Sequence, residues 1–266
     1  MKVAVFTPYS LLSHEAGVIY LLANYLADLY PESAVRQLKC NGAFSLCGHD
    51  AERGWKRNVT SCLYCAVGQQ RLATWAGIDS EELAKYLMPQ DVEDTLRWGS
   101  LLHDADLLTA QFGDRILYDY CKGSFKDRFG TEKPDLDNKN HLRVLRRLLV
   151  SAARMFLAAE RFCKAGSPEH VFVPSDSDFL TTVFLDCAAL HGAITTVFKW
   201  DLHSRMMTLK ASATDDEYTC SLLLEDVTSM RSDPCTWSEE LLSVVNEILS
   251  FLKLSDTQLT LPLSNI

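Results

Sequence analysis

The stretch MKVAVFTPYSLLSHEAGVIYLLANYLADLYPESAVRQLKCNG, residues 1–42, decides the fold. Val3-Ala4-Val5-Phe6 is an unbroken apolar run closed by Thr7-Pro8, the pattern of a strand buried on both faces of a parallel sheet. Ser13 is placed to cap the helix that follows. Apolar residues recur at helical spacing from Ala16 to Tyr30, and Pro31 stops them. Ala34 to Leu38 reads as a second strand running directly into Cys40. Strand, helix and strand in this order form a βαβ unit, and they predict an α/β protein with a Rossmann-like, doubly wound, mostly parallel sheet.

Working outward, residues 40–60 read as a loop broken by Gly42, Gly48, Gly54 and Asn58, after which Thr60 or Ser61 caps a helix carrying Cys62 and Cys65. From Asp79 to Asp127 the pattern is mostly helical, with start signals at Ser80-Glu81-Glu82-Leu83 and at Pro89-Gln90-Asp91-Val92-Glu93. The segment 123–139 is the expected hinge. A long helix then runs from His141 to Lys164 and ends at Gly166-Ser167-Pro168. His170 to Pro174 is a second buried strand, and Ser175-Asp176-Ser177-Asp178 can cap a helix from Phe179 to Leu190. Ala193 to Phe198 is the next strand, a hairpin is expected near 205–213 and 218–225, and Ser238 to Leu254 is an amphipathic helix. The expectation is one domain over 1–266: a cysteine-rich loop at 40–65, a helical insertion at 79–165 and a second half-sheet at 170–254.

Composition narrows the function classes. The chain has 266 residues, 47% of them hydrophobic, which excludes a disordered chain. With 26 Lys+Arg against 35 Asp+Glu the net charge is −9, which argues against nucleic acid as a partner. No apolar run approaches the roughly 20 residues of a membrane span. The apolar run at the N-terminus is too short for a secretory leader, so a reducing, cytoplasmic location is expected. Arg143, Arg146, Arg147 and Arg154 read as a solvated basic helix face. There is no GxGxxG, Gly-rich phosphate loop, HExxH or nucleophile elbow.

Nine cysteines are the unusual number. Cys121, Cys163, Cys187 and Cys220 sit among apolar residues and read as structural thiols, and Cys235 as a loop thiol. The other four follow Cys40-x6-Cys47-x14-Cys62-x2-Cys65. A Cys-x2-Cys pair brings two sulfurs within reach of one ion, and a second pair from a loop completes a tetrahedral shell. Thiolates suit zinc or a [4Fe–4S] cluster, and ligand type alone does not choose between them. A redox pair or unrelated thiols are the competing readings, and His49 reads as an exposed loop residue.

These pieces together carry a resemblance. Thr7-Pro8 closing the first strand, His14-Glu15 opening a helix, Cys40-Asn41-Gly42, Cys47 and Cys62-x2-Cys65 come first. Gly77-Ile78 and Ala84-Lys85-Tyr86-Leu87 follow. Over roughly residues 1–200 the chain resembles bacterial surface- and capsule-polysaccharide biosynthesis proteins with a GT-B glycosyltransferase-like fold. It departs from that pattern at Pro174-Ser175-Asp176-Ser177, where the family has Asn-Gly-Arg. It departs again at Phe198-Lys199-Trp200-Asp201, where the family has an aromatic followed by Glu-Gly. The resemblance implies a sugar or nucleotide-sugar ligand, with a protein partner expected to supply the second Rossmann domain.

In an open α/β sheet, ligands sit beyond the carboxyl ends of the strands. The candidates there are Thr7, His14 and Glu15 after the first strand, Ser175 and Asp176 after the third, and Lys199 and Asp201 after the fourth. His14 and Glu15 are the catalytic candidates, His14 as general base or phosphate or hydroxyl binder; the others are ligand-binding candidates. Helix capping for Asp176, a dipole contact for Glu15 and a solvated turn for Lys199 and Asp201 are the structural counterparts. The functional expectation is a glycosyltransferase-like protein with a four-cysteine site beside a sugar or phosphate cleft. A non-catalytic metal-stabilised binding or scaffold protein and an iron–sulfur enzyme are the alternatives.

Overall fold

The order of the strands in the central sheet shows how the chain was wound. The computed structural model describes residues 1–8, 14–44, 46, 59–175, 177–201, 206–212, 217–220 and 239–251. The main sheet runs β3-β2-β1-β6-β7-β8-β9, built from β1 (Lys2–Phe6), β2 (Ala34–Lys39), β3 (Asp79–Glu82), β6 (His170–Val173), β7 (Ile194–Asp201), β8 (Met206–Ala211) and β9 (Glu217–Cys220). The first five in that spatial order are parallel, and β8 and β9 close one edge as an antiparallel hairpin. A separate two-stranded ribbon pairs β4 (Gln111–Phe112) with β5 (Arg115–Ile116). The fold is Rossmann-like.

Strand alternation sorts the core onto two faces. Val3, Val5, Val35, Phe172 and Phe198 meet α1 (His14–Leu29), α2 (Val59–Trp75) and α7 (Glu239–Phe251) on one face. Ala4, Phe6, Leu38, Val171, Val173 and Val197 meet α4 (Tyr118–Phe129), α5 (Lys139–Gly166) and α6 (Phe179–Leu190) on the other. The chain winds outward from β1 through α1 and α2, crosses over, and returns to pair β6 with the opposite side of β1. The crevice beyond the carboxyl ends of β1 and β6 is therefore the topological switch point.

Several expectations need correction. Residues 79–82 form β3, an edge strand held parallel to β2, and the helix expected from Ser80 is only a single 3-10 turn at Leu83–Tyr86 after it. Arg36 lies 3.8 Å from Glu81 and Lys39 lies 3.8 Å from Glu82. Cross-strand charge pairing outweighs local helix signals there. Helix begins in earnest with α3 (Pro89–Leu101), where Pro89 takes the first helical position and Asp91 accepts from the Met88 backbone N–H at 2.6 Å. The helical middle is also interrupted by β4 and β5. The expected hinge at 123–139 is occupied by the last turns of α4 as far as Phe129. The helix of Cys62 and Cys65 starts at Val59, so Thr60 and Ser61 lie inside it. Ser13 and residues 202–205, 221–238 and 252–266 lie outside the described residues, and with them parts of the expected hairpin and last helix.

The basic stripe of α5 is solvated only in part: Arg143 is exposed and bonds to Asn140 of its own helix, whereas Arg146 and Arg154 reach α3. Arg146 donates to the carbonyls of Gly99 (2.6 Å) and Leu102 (2.7 Å) and to Asp104 (2.7 Å). It thereby satisfies the orphan acceptors at the end of α3. Arg154 is buried and donates to Thr95 and to the Val92 carbonyl. Arg161, two further turns along, forms a two-pronged pair with Asp91. Helix periodicity predicts which residues share a face, but not that the face meets another helix's carbonyls. Among the described residues, no helix is long and apolar enough to cross a membrane.

Candidate functional site

The end of β1 is held by a buried polar relay. Tyr20, from α1, sits fully buried with its hydroxyl 2.7 Å from the Thr7 hydroxyl, and Gln37 of β2 donates to the same phenol oxygen. Gln37 in turn accepts from Ser80 at 3.2 Å. From the other side, the Gln69 amide of α2 donates to the Thr7 carbonyl at 2.7 Å. Burial pushes the Tyr20 phenol far above its ordinary range, so it stays protonated and serves as a hydrogen-bond relay. Thr7 was expected at this strand end, and the structure places it there. Tyr20, Gln37 and Gln69 were missed. Each occupies an inward-facing position of an otherwise apolar pattern, which is the signal that could have found them.

The cysteines converge in part. Cys40 follows β2, and the next two residues, Asn41 (φ 44) and Gly42 (φ 72), are both left-handed while the Ala43 N–H donates to the Cys40 carbonyl at 3.1 Å. Asn-Gly suits this turn because both tolerate positive φ. The turn aims the backbone N–H groups of Gly42, Ala43 and Phe44 at the Cys40 sulfur. Burial pushes that thiol up to about 11, and the three amides oppose the rise. Cys65 lies near enough that its charge also raises Cys40, and its thiol donates to the Pro8 carbonyl at 3.8 Å. Cys62 stands three residues earlier on α2, half-buried like Cys65.

Cys62 and Cys65 are carried by a helix, as expected, and because α2 already begins at Val59 the cysteine-rich loop expected over 40–65 does not extend that far. Cys47 lies outside the described residues, as does His49. Among the described residues, no three His, Cys, Asp or Glu side chains gather around one point where an ion would fit.

The remaining candidates are placed as follows. His14 opens α1, and its side chain lies outside the described residues. Glu15 reaches across the switch point and accepts from the Trp200 backbone N–H at 3.1 Å. β7 outruns β6, whose pairing stops at Val173 opposite Val197, so the Glu15 carboxylate satisfies a strand end that β6 leaves open. Ser175 pairs with Ser177 at 2.9 Å. Asp176 lies outside the described residues, and Asp178 caps α6 by accepting from Leu180 N–H at 2.9 Å. Lys199 and Asp201 are not beyond the fourth strand but inside β7, exposed and paired in register with Thr208 and Met206 of β8.

The loop after β6 is pinned from α4. Ser124 accepts from the Phe179 N–H at 3.0 Å and donates to Asp178 at 3.3 Å. A Cβ on Gly123 would stand 2.4 Å from the Ser177 carbonyl oxygen, so only glycine allows α4 this close. Both walls of the switch point, Thr7-Pro8 on one side and Ser177-Asp178 on the other, are therefore held by packed neighbours, Gln69 and Cys65 for the first and Gly123 and Ser124 for the second. Two cavities lie elsewhere. One of about 170 Å³ sits by Lys2, Ala34 and Pro168, and one of about 460 Å³ by Arg115, Phe156, Glu160 and His191. Neither is at the carboxyl ends, where a parallel sheet presents its loops and helix starts to a ligand. No protein-family model matches the chain, and no curated protein matches it.

Proposed function

We propose that the chain is a glycosyltransferase-like, cytoplasmic protein that binds a sugar or nucleotide-sugar at the carboxyl ends of β1 and β6. In this reading a zinc ion or [4Fe–4S] cluster is held at the rim by Cys40, Cys47, Cys62 and Cys65. The observation that carries the ligand reading is the rigid switch point: the Tyr20–Thr7–Gln69 relay fixes one wall and Ser124 with Gly123 fixes the other. Preorganised walls lower the ordering cost of binding. The amides aimed at Cys40 support the metal reading, because N–H donors favour a thiolate over a thiol. Four thiolates on zinc leave no open position, so that ion would stabilise the segment rather than react.

A second reading, a non-catalytic binding or scaffold protein, is favoured by one observation. The described carboxylates at the switch point are engaged structurally, Glu15 with Trp200 and Asp178 with the start of α6. A partner supplying a second domain belongs to the first reading.

Thermal unfolding of the purified chain with UDP-glucose, UDP-N-acetylglucosamine and GDP-mannose tests the ligand. Stabilisation by at least one is expected, and no shift with any of them sinks the reading. Metal analysis with an anaerobic absorption spectrum tests the rim. Bound metal lost on Cys40→Ser and on Cys62→Ser is expected, and metal-free protein with unchanged stability in both variants rejects it. Binding without sugar transfer to any acceptor would select the scaffold reading.

A further inference from the structure

Hydrogen-bond accounting at Thr7 leaves two groups over. The Thr7 carbonyl can only accept, so it orients the Gln69 amide with Nε2 toward it and Oε1 away. Gln69 is fully buried, yet its Oε1 has no hydrogen-bond partner among the described residues. A buried acceptor without a donor costs about 1–3 kcal/mol, which a folded chain retains where something else supplies the donor. The relay on the far side has a direction as well. Gln37 Nε2 can only donate, so the Tyr20 oxygen accepts from it, and the Tyr20 proton goes to Thr7 Oγ1. The Thr7 hydroxyl thereby keeps its own proton to give.

We infer that Gln69, with Thr7, is a binding residue for a hydroxyl of the ligand, Gln69 Oε1 accepting the hydroxyl proton and Thr7 Oγ1 donating to the hydroxyl oxygen. This rests on the proposed binding of a sugar at the end of β1 and names the part of that ligand that lies there. A hydroxyl is the group that donates and accepts at once. A phosphate or carboxylate is disfavoured, since it offers acceptor oxygens to a cradle already rich in them: Gln69 Oε1, the Thr7 carbonyl and the Pro8 carbonyl. The sugar end of a nucleotide-sugar, not its diphosphate, belongs beside Thr7.

Gln69→Met keeps length and volume and removes the acceptor. Titration of wild type and variant with UDP-glucose and with UDP, each read against that protein's own ligand-free melting temperature, separates the outcomes. The expected result is that the variant binds UDP-glucose about tenfold or more weakly, with UDP binding unchanged. Equal affinity for UDP-glucose in both proteins, or an equal loss for UDP, overturns the inference and leaves the nucleotide-sugar reading intact.

If no nucleotide-sugar binds the wild type, the functional reading falls. The inference is then decided by free glucose, myo-inositol and glycerol: a shift in wild type that Gln69→Met abolishes upholds it, and no shift with any of the three overturns it. Should Gln69→Met fail to fold, Thr7→Val removes the matching donor and is read the same way.

Discussion

At the scale of the residue, the molecule is organised by a few inward-facing polar side chains. Tyr20 joins α1 to β1 and β2 through a single oxygen, and removing that oxygen leaves Gln37 Nε2 and the Thr7 hydroxyl without their partner. Tyr20→Phe should cost about 1–3 kcal/mol. At roughly 2–4 °C per kcal/mol for a chain of this size, calorimetry would register it plainly. An unchanged melting temperature would mean the relay carries no load. Gly123→Ala is predicted to be worse for the ligand wall than for the core, because the added methyl meets a backbone carbonyl rather than a movable side chain. The expected cost is about 1–3 kcal/mol of stability, with weakened binding of whichever nucleotide-sugar stabilises the wild type. Thr7 was legible in the sequence as the end of a buried strand. Gln37 and Gln69 were legible only as polar residues at inward-facing positions; their partners Tyr20 and Thr7, 17 and 62 residues away in the chain, were not.

At the scale of the element, helix α3 is held by α5 through arginines rather than by apolar contact alone. Arg154 is 5% exposed, and its bonds to Thr95 and the Val92 carbonyl tie the middle of one helix to the other. Arg154→Met fills the volume but leaves those acceptors without their donor. Hydrogen exchange of α3 amides should accelerate by about tenfold or more while those of α6 stay protected. Uniform acceleration throughout would show that α3 does not open on its own. The same elements show why local signals failed at β3: Ser80-Glu81-Glu82 carries a good helix-start composition, yet Glu81 and Glu82 pair with Arg36 and Lys39 across a parallel register. Those partners are more than 40 residues distant in the chain, beyond any local window.

At the scale of the whole molecule, stability should depend on pH through His170. It is buried at the start of β6, and burial holds its imidazole below the ordinary value of 6.5, with Glu169 raising it and the N-terminal amine lowering it. The folded state therefore binds fewer protons than the unfolded chain just below pH 6.5, so stability falls as pH drops through 6.5 and levels off below the folded value. Urea midpoints at pH 7.5 and 5.5 should differ in wild type and differ less in His170→Gln. Asp91 acts at lower pH: its hydrogen bonds from Arg161 hold the carboxyl below the usual range, so its contribution is present at neutral pH and is lost only in acid. The face of β8 that carries Met207 and Leu209 relies on α7, whose Val245, Ile248 and Leu249 are buried in the same cluster. A chain ended at residue 238 should expose that cluster and aggregate on size-exclusion chromatography; a soluble monomer of native helicity would contradict this.

The sequence by itself determined the parallel strands β1, β2, β6 and β7, the long central helix and the doubly wound class of the sheet. Each of these is written in a period of two or of 3.6 residues within a short window, bounded by Pro, Gly or a cap. It also determined that Cys40 ends a strand in an Asn-Gly turn. Only the tertiary structure decided that β3 is a strand, that Arg146 and Arg154 of α5 serve another helix, that Glu15 closes the end of β7, and that Gln69 meets Thr7. Those outcomes depend on pairs far apart in the chain, where burial turns an ordinary polar side chain into an obligatory hydrogen-bond partner.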